Sequence, residues 1–532
     1  MMAEKQTVVI GASVLETLTT GMYTDAVIIY REYIQNACDA IDQALREGLL
    51  SERREGRVHI CLDPAKRCVS IEDNGAGVPA AKFRSTVGDI ANSAKDMMQD
   101  KGFRGIGRLA GLAYCRKLVF SSTAVGESTI SRLICDAERF CAMLDEKGRF
   151  VGDVLEETFT FSSKEGAEKD AHFFKVEMQD VSKEGEALLD KDRIHEYLSL
   201  IAPVPFDGNF YQRNKIYDYA RKKNYPLDEY RIILNATPIS KAYRTNYLNG
   251  SKKDSIRDVS FRELKGKDGK ILAWLWYALT GFLGSITGKD RSLSEIRLRS
   301  GNIQIGDEDA LRRFFKEERF SGYVIGELHV LPTAGLRPNA RRDYFNSSAQ
   351  LAAMEEAFRL VAQDLGKICR AGSDMNTLAK SVKQYEEAWH EHTKKVEGRL
   401  FLDEQERAEN AADLEIKKKS AEDARKKLES IKTMGTQDGI SAVDTARSRI
   451  AAARLEELST TKGKPEGKVA GAVPSASVKT QKHPTYRTDK LSTLSKKERK
   501  LVDTVYRAVK EELKDDEKMM ERVISAIEAA LQ

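Results

Sequence analysis

The sequence contains little cysteine and lacks a long apolar run. Its seven cysteines include no CxxC pair, which argues against a disulfide framework and a zinc ribbon and favours a reducing compartment. The most apolar stretch, residues 271–286, is shorter than the ~20 residues that cross a bilayer, so it predicts a buried strand with its turn. The first residues show no signal-peptide pattern. We therefore expect a cytoplasmic protein with no membrane segment.

The net charge is also small for the length of the chain. Lysine and arginine total 87 against 82 acidic residues, a formal charge of +5 over 532 residues, so composition alone requires no nucleic-acid partner. Charged residues nevertheless reach 32 %, above the ~25 % of typical globular chains. This surplus indicates long solvated helices, and the length predicts several domains.

Composition divides most of the chain into three segments. Residues 1–180 and 181–350 alternate helical and strand patterns, with glycine and proline at the joints. Residues 351–460 lack proline and are rich in alanine, glutamate and lysine, which predicts long helices, with a coiled-coil arm as one arrangement. A break at 435–439 suits the tip of a helical hairpin.

The last seventy residues combine a basic segment with a short helical module. Residues 461–494 hold several prolines and small residues and predict a flexible linker. Residues 461–500 carry nine lysines and two arginines against three acids, a charge of +8. Ser495 and Glu498 then form a capping-box pattern. We expect residues 495–532 to be a docking or dimerisation module, because two short helices cannot build a core alone. Their expected apolar faces are Leu501, Val505, Val509 and Leu513, then Val523, Ile524, Ile527 and Leu531.

The first motif is an acidic and amide stripe on a predicted helix. Glu32, Asn36 and Asp39 follow i, i+4, i+7 spacing and share one face. Such a stripe can serve a hydrated magnesium ion and a water nucleophile, although a stripe of this kind is more often a solvated helix face. The opposite, buried face is expected to consist of Tyr30, Ile34, Ala37, Ile41 and Leu45.

The second motif is a β-hairpin that ends in a glycine-rich turn. Two alternating strands around residues 58–73 lead into Asp73, Gly75 and Gly77. A carboxylate at a strand end can accept a hydrogen bond from an exocyclic amine, and glycines let the backbone approach a flat ring. An ordinary glycine turn is the alternative. Alternation places three apolar residues on one face: Val58, Ile60 and Leu62.

The third motif is a glycine run, with Gly102, Gly105 and Gly107 just before an apolar helix predicted at residues 109–114. Free amide hydrogens at a helix start bind anions. The run is neither a P-loop nor a dinucleotide fingerprint, since the spacing of both is absent.

Together, in this order, the three motifs resemble the GHKL superfamily: DNA gyrase B, the ninety-kilodalton heat-shock chaperones, histidine kinases and MutL. The resemblance implies an α+β chain with an N-terminal Bergerat-type α/β sandwich ATPase domain that binds ATP and Mg²⁺. By that resemblance Glu32 orients and deprotonates the attacking water, Asn36 ligates magnesium and Asp73 binds the adenine amine. Lys95 and the amides near Gly105 and Gly107 would hold phosphates. The nucleotide-binding residues so implied are Asn36, Asp39, Asp73, Gly75, Gly77, Ser93, Lys95, Gly102, Gly105, Ile106 and Gly107.

One departure from the family pattern concerns the adenine side. Family members usually carry a Gly-Thr pair on a late strand, whereas the corresponding residues 171–176 read AHFFKV. Thr123 is the candidate replacement.

Residues 294–345 resemble the middle (transducer) domain of the heat-shock chaperones, with an arginine strand, a glycine-bearing apolar strand and an Asn-x-x-Arg-acid loop. In that resemblance Arg342 reaches the γ-phosphate, with Arg341 the alternative if the spacing slips by one. A basic surface loop is the competing interpretation.

The expected function is therefore an ATPase that acts as a chaperone-like conformational switch, driven by lid closure and dimerisation, with a homodimer and a protein client as partners. Two alternatives stay open. One is a DNA-engaging clamp of the MutL or microrchidia type that uses the basic linker, and the other is a scaffold that binds ATP without useful turnover.

Overall fold

A computed structural model of the chain describes residues 11–18, 25–89, 107–146, 148–339, 341–434, 440–460, 487, 491 and 494–531. The chain divides into two compact units, Met1–Gly366 and Lys367–Gln532. The first contains two large sheets with flanking helices, and the second is helical. The α+β prediction is therefore confirmed, while the finer domain boundaries stay predictions.

The first sheet of the N-terminal unit has eight strands in the order β5-β4-β3-β6-β2-β1-β7-β8. Only the β1–β7 pair is parallel, so the sheet is mixed. The strands are β1 (Arg57–Asp63), β2 (Cys68–Asp73), β3 (Cys115–Thr123), β4 (Thr129–Asp136), β5 (Phe159–Glu165), β6 (Phe173–Val181), β7 (Arg231–Leu234) and β8 (Thr237–Pro238). The helices of this region are α1 (Ser13–Leu18), α2 (Ile28–Arg46), α3 (Ala80–Phe83), α4 (Ala137–Leu144), α5 (Val151–Thr158) and α6 (Lys191–Ile201).

The hairpin and the helix predicted from the sequence both form. β1 and β2 pair antiparallel with Val58 opposite Asp73, and the predicted apolar face of β1 is buried. The apolar stripe of α2 is also buried, except for the partly buried Leu45, and it packs in one core with this face of the sheet, α4 and α6. Burial of both stripes against each other fixes α2 across the sheet, which decides where its polar face lies.

The second sheet lies in the same unit and has five strands in the order β11-β12-β15-β13-β14. The predicted buried strand is confirmed as β12, and the expected arginine strand and glycine-bearing strand form as β13 and β15. The elements of this region are α7 (Arg213–Lys223), β9 (Asn246–Asn249), β10 (Lys252–Ser255), β11 (Asp258–Lys265), β12 (Ile271–Leu279), β13 (Glu295–Ser300), β14 (Ile303–Gln304) and β15 (Ile325–Val330).

Long helices dominate the rest of the chain, as predicted. They are α8 (Ala349–Gly398), α9 (Glu404–Met434), α10 (Ala442–Thr460), α11 (Lys496–Glu512) and α12 (Glu517–Leu531). The hydroxyl of Ser448 on α10 donates to the carbonyl of Lys432 on α9 at 2.7 Å, which ties these helices together near their shared connection. The connection itself, at 435–439, lies outside the described residues. In the part of the chain that the structure describes, no helix is long and apolar enough to span a bilayer.

The start of α11 is confirmed, but its predicted apolar face is only partly right, because Val509 packs against the buried cluster around Tyr506 and Leu501 does not. Ser495 and Glu498 form the capping box, with the Ser495 amide donating to Glu498 Oε2 at 2.6 Å. Leu501, however, is 68 % exposed, and the buried residues of the cluster are Leu402, Leu491, Val502, Tyr506 and Ile524. Residues four apart drift by about 40° per step on a helix with 3.6 residues per turn. A stripe of residues spaced four apart therefore rotates away from the packed face. Residues spaced i, i+4, i+7 from Val502 stay on the packed face.

Candidate nucleotide site

Helix α2 turns its polar stripe inward. Glu32 is 8 % exposed and Asp39 is 3 % exposed, and Asn36 is half-buried. This burial excludes a solvated helix face. Burying carboxylates costs free energy, so partners or a ligand must compensate it.

The Asp73 loop packs directly on α2. Asp73 ends β2, is buried, and accepts a hydrogen bond from the Gly75 amide at 2.9 Å. The Ala76 amide donates to the carbonyl of Ala40 at 3.0 Å. A Cβ on Gly75 would lie 2.5 Å from the Ala40 carbonyl carbon, so only glycine permits this approach. The loop thus lies against the helix next to Asp39, on the face of the sheet that α2 covers.

The second glycine of this loop is held by the neighbouring strands. Gly77 has a φ of +67°, and a Cβ there would collide with the carbonyl oxygen of Thr123, so both conformation and space require glycine. The Val78 amide donates to Ser122 Oγ at 2.8 Å, and Ser122 Oγ donates to the carbonyl of Phe173 at 2.7 Å. The loop is therefore pinned to the ends of β3 and β6.

The strand register corrects the expectation for Thr123. Asp73 pairs with Phe174, and Phe174 pairs with Ser122, so these three side chains share one face of the sheet. Thr123 pairs with Phe173 and lies on the opposite face. Thr123 therefore does not replace the usual threonine, because it lies on the other face from Asp73. Phe174 occupies the position beside Asp73.

The end of the glycine run lies beside Glu32. A Cβ on Gly107 would lie 2.4 Å from Glu32 Oε2. Gly107 begins a 3₁₀ helix, where an apolar helix was predicted. The Tyr33 hydroxyl holds it in place by donating to the Arg108 carbonyl at 3.1 Å and accepting from the Gly111 amide at 3.0 Å. Burial lowers the pKa of Arg108 to about 10. Five other residues that the resemblance implies for nucleotide binding lie outside the described residues: Ser93, Lys95, Gly102, Gly105 and Ile106.

An arginine from the loop after β15 completes the group around Glu32. Arg342 is buried, and its Nε lies 3.6 Å from Glu32 Oε1. The Arg342 backbone has a φ of +55°, and its carbonyl accepts from the Gly306 amide at 2.8 Å. The side chain of Arg341 is exposed. Of the two arginines left open by the sequence, the structure brings Arg342 to Glu32.

Sequence reasoning missed Arg31. Arg31 Nη2 donates to the Arg341 carbonyl at 3.0 Å, which holds the Arg342 loop on α2, and its Nε lies 4.0 Å from Glu32 Oε1. Neighbouring residues on a helix point in different directions, so the position of Arg31 next to Glu32 gave no signal. Between the two arginines, Glu32 Oε1 has no hydrogen-bond partner among the described residues.

The donor set fits a nucleotide with magnesium. A half-buried amide and two buried carboxylates lie on one face of α2, and the buried carboxylate of Asp73 and the backbone of Gly107 lie close to this helix. The described residues hold no cluster of three histidine, cysteine or acidic side chains. Magnesium bound with a nucleotide needs none, because phosphate oxygens and waters supply most of its ligands.

Comparison with known proteins agrees with this geometry. Residues 25–141 match the family described as histidine kinase-, DNA gyrase B-, and HSP90-like ATPase. The chaperone protein HtpG of Albidiferax ferrireducens is 31 % identical over 132 residues, 22 % of this chain and 20 % of the relative. HtpG of Helicobacter hepaticus is 28 % identical over 179 residues, 30 % and 27 % of the two chains. The match thus spans about a fifth to a quarter of these relatives. The predicted resemblance to the GHKL superfamily, in its heat-shock-chaperone branch, is confirmed.

Proposed function

We propose, from the premise that residues 25–141 are a GHKL-type ATPase segment, that this protein binds ATP with magnesium and hydrolyses it. The base would lie near Asp73 and Phe174, and the phosphates near Gly107 and Glu32. Hydrolysis would drive a chaperone-like conformational cycle.

The observation that carries this proposal is the approach of Arg342 to Glu32, 3.6 Å apart. Glu32 belongs to the helix over the first sheet, whereas Arg342 follows the second sheet. Phosphoryl transfer depends mainly on positioning and on neutralising charge. A carboxylate that orients water and an arginine that stabilises the γ-phosphate are the two groups that such a reaction requires.

The remaining residues have separable roles in this proposal. The Asp73 carboxylate accepts from the exocyclic amine of adenine, and Asn36 is the protein ligand of magnesium. Magnesium supplies charge neutralisation on the phosphates. The amide of Gly107, a residue that lies beside Glu32, would donate to the phosphates. Ser93, Lys95, Gly102, Gly105 and Ile106 would close over the nucleotide as a lid.

Dimerisation and a protein client belong to the same proposal. The relatives are named as chaperones, and a site assembled from two sheets can couple turnover to movement of one sheet against the other. Slow turnover is expected, because closure and not chemistry would limit it.

A DNA clamp is the second candidate, and the +8 charge of residues 461–500 favours it. DNA binding by this segment would weaken steeply as salt rises, since each neutralised phosphate releases counterions. A salt titration of duplex binding tests it, and affinity that does not change with salt, or no binding at all, would exclude the clamp.

Two isosteric substitutions test the ATPase proposal. Glu32→Gln should bind ATP with wild-type affinity and lose at least about a hundredfold in turnover, because it removes the base and keeps the shape. Asp73→Asn should weaken ATP binding by about tenfold or more. The control is Glu72→Gln, an exposed residue next to Asp73 on the same strand. Wild-type turnover in Glu32→Gln, or wild-type ATP affinity in Asp73→Asn, would contradict the proposal.

A further inference from the structure

A second cleft lies in the N-terminal unit, beside the nucleotide site. Its volume is about 520 Å³, within the ~300–1,000 Å³ of small-molecule sites. Its walls come from the start of α2, the outer face of α6, β13, β14 and the loop that carries Arg341. Neither Asp73 nor Asn36 lines it.

Two buried arginines form the floor of this cleft. Arg31 is 6 % exposed and Arg297 is 2 % exposed, and both line the cavity. The Nε of each has no hydrogen-bond partner among the described residues. Arg297 donates to Gln304 Oε1 at 2.9 Å and to the Ser292 carbonyl, which are neutral acceptors. No carboxylate of the described residues lies within ion-pair distance of Arg297.

Arg297 also belongs to a buried cluster with too much positive charge. Lys241 and Arg299 share one carboxylate, Glu327, at 2.7 Å and 2.5 Å. These three side chains and Arg297, which pairs in register with Glu327, are almost fully buried, so three cations lie near two carboxyl groups, Glu327 and the half-buried Glu229. Burial lowers the pKa of Lys241 to about 8. It also raises the pKa of Glu229, the other carboxyl group that acts on this lysine. A buried charge without a counter-ion is strongly unfavourable. Arg297 lines the cleft, so an anion bound there would compensate this excess of positive charge.

We propose that this cleft binds a small zwitterion, with an oxyanion against Arg31 and Arg297 and a cationic group at the rim. The rim is acidic, which favours a cation there and disfavours polyanions such as DNA. Its exposed carboxylates are Glu196, Asp307, Glu308 and Asp343. A fifth rim carboxylate, Asp25, pairs with Arg193 at 2.8 Å. The oxyanion is a carboxylate or a phosphate.

Calorimetric titration of the full chain tests this site. The probes are 4-aminobutanoate and O-phosphoethanolamine, which differ in the oxyanion, with inorganic phosphate as the oxyanion alone and ethanolamine as the cation alone. At least one zwitterion should bind, tighter than phosphate, and ethanolamine should not. Binding should persist with saturating ADP, which separates this cleft from the nucleotide site. The titration without ADP still tests the cleft if ADP does not bind, that is, if the proposed nucleotide site is wrong.

Two variants locate the binding. Arg297→Met should weaken zwitterion binding at least tenfold, whereas Arg116→Gln, an exposed arginine outside the cleft, should not. Glu196→Gln, a change at the exposed rim, should weaken zwitterion binding two- to fivefold and leave the affinity for phosphate unchanged or higher. This variant serves as the test if Arg297→Met does not fold. No binding of either zwitterion up to 20 mM, or binding that neither variant alters, overturns the proposal.

Discussion

The contact between Gly107 and Glu32 allows a test of how accurately the carboxylate must be placed. A Cβ added at residue 107 would lie 2.4 Å from Glu32 Oε2, whereas ordinary van der Waals contact begins at 3.4 Å. Gly107→Ala should therefore push the carboxylate aside by about 1 Å. Gly107 does not have a positive φ, so alanine fits the backbone and the flexible end of Glu32 takes up the movement.

The expected cost falls on catalysis and not on stability. A misplacement of about 1 Å in a reacting group can lower a rate by about a hundredfold, or about 2.7 kcal/mol of transition-state stabilisation. We expect turnover to fall to that extent, with ATP affinity within about threefold of wild type and the free energy of unfolding within about 1 kcal/mol. Steady-state ATP hydrolysis, equilibrium ATP binding and urea unfolding measure the three quantities.

The matched control is Gly152→Ala, because a Cβ on this exposed helical glycine would meet open space. If Gly107→Ala hydrolyses ATP within twofold of Gly152→Ala while Glu32→Gln is inactive, the position of the carboxylate does not limit the reaction and the reasoning from this contact is refuted.

Three further predictions follow from the same structure. Arg342→Ala should lower turnover at least about tenfold through lost charge stabilisation, whereas Arg341→Ala, which keeps its carbonyl bond to Arg31, should stay within about twofold in the same hydrolysis assay; equal losses would contradict the assignment. Gly75→Ala should lower the free energy of unfolding by about 1–3 kcal/mol in urea, since the rigid Ala40 backbone cannot yield; an unchanged midpoint would contradict the close packing. Burial lowers the pKa of His329 from 6.5 to about 4, so the unfolded chain takes up a proton first and stability falls as the pH drops below 6.5. Relative to His329→Gln, wild type should lose about 2 kcal/mol more between pH 7.5 and pH 5, with the exposed His59→Gln as a control that keeps the wild-type dependence.

Local patterns predicted the parts of the site that depend on local rules. The alternation in β1 and the helical spacing in α2 identified the buried faces, and these faces fix where Glu32 and Asp73 lie. The capping box at Ser495 was likewise predicted, because cap geometry involves residues only three positions apart.

Features that depend on distant partners could not be predicted from local patterns. Thr123 and Ser122 differ by one position, and only the pairing of β3 with β6 reveals which of them shares a face with Asp73. The packed face of α11 is set by Leu402, about a hundred residues earlier. The buried ion cluster brings Lys241, which lies between β8 and β9, to Glu327 on β15.

The second sheet is tied to the first region by more than the Arg342 loop. Arg299, on β13, donates from Nη2 to the Leu200 carbonyl at 2.5 Å, near the end of α6. Its Nε pairs with Glu327, so the same side chain links the ion cluster to a helix of the first core. Because α6 and α2 pack in that core, a movement of the second sheet that withdrew Arg342 from Glu32 would also have to break or carry along the Arg299 contact. A guanidinium buried between two layers resists small displacements, since leaving its acceptors unpaired costs free energy. The Arg299 contact therefore constrains the same approach of the two sheet regions that brings Arg342 to Glu32.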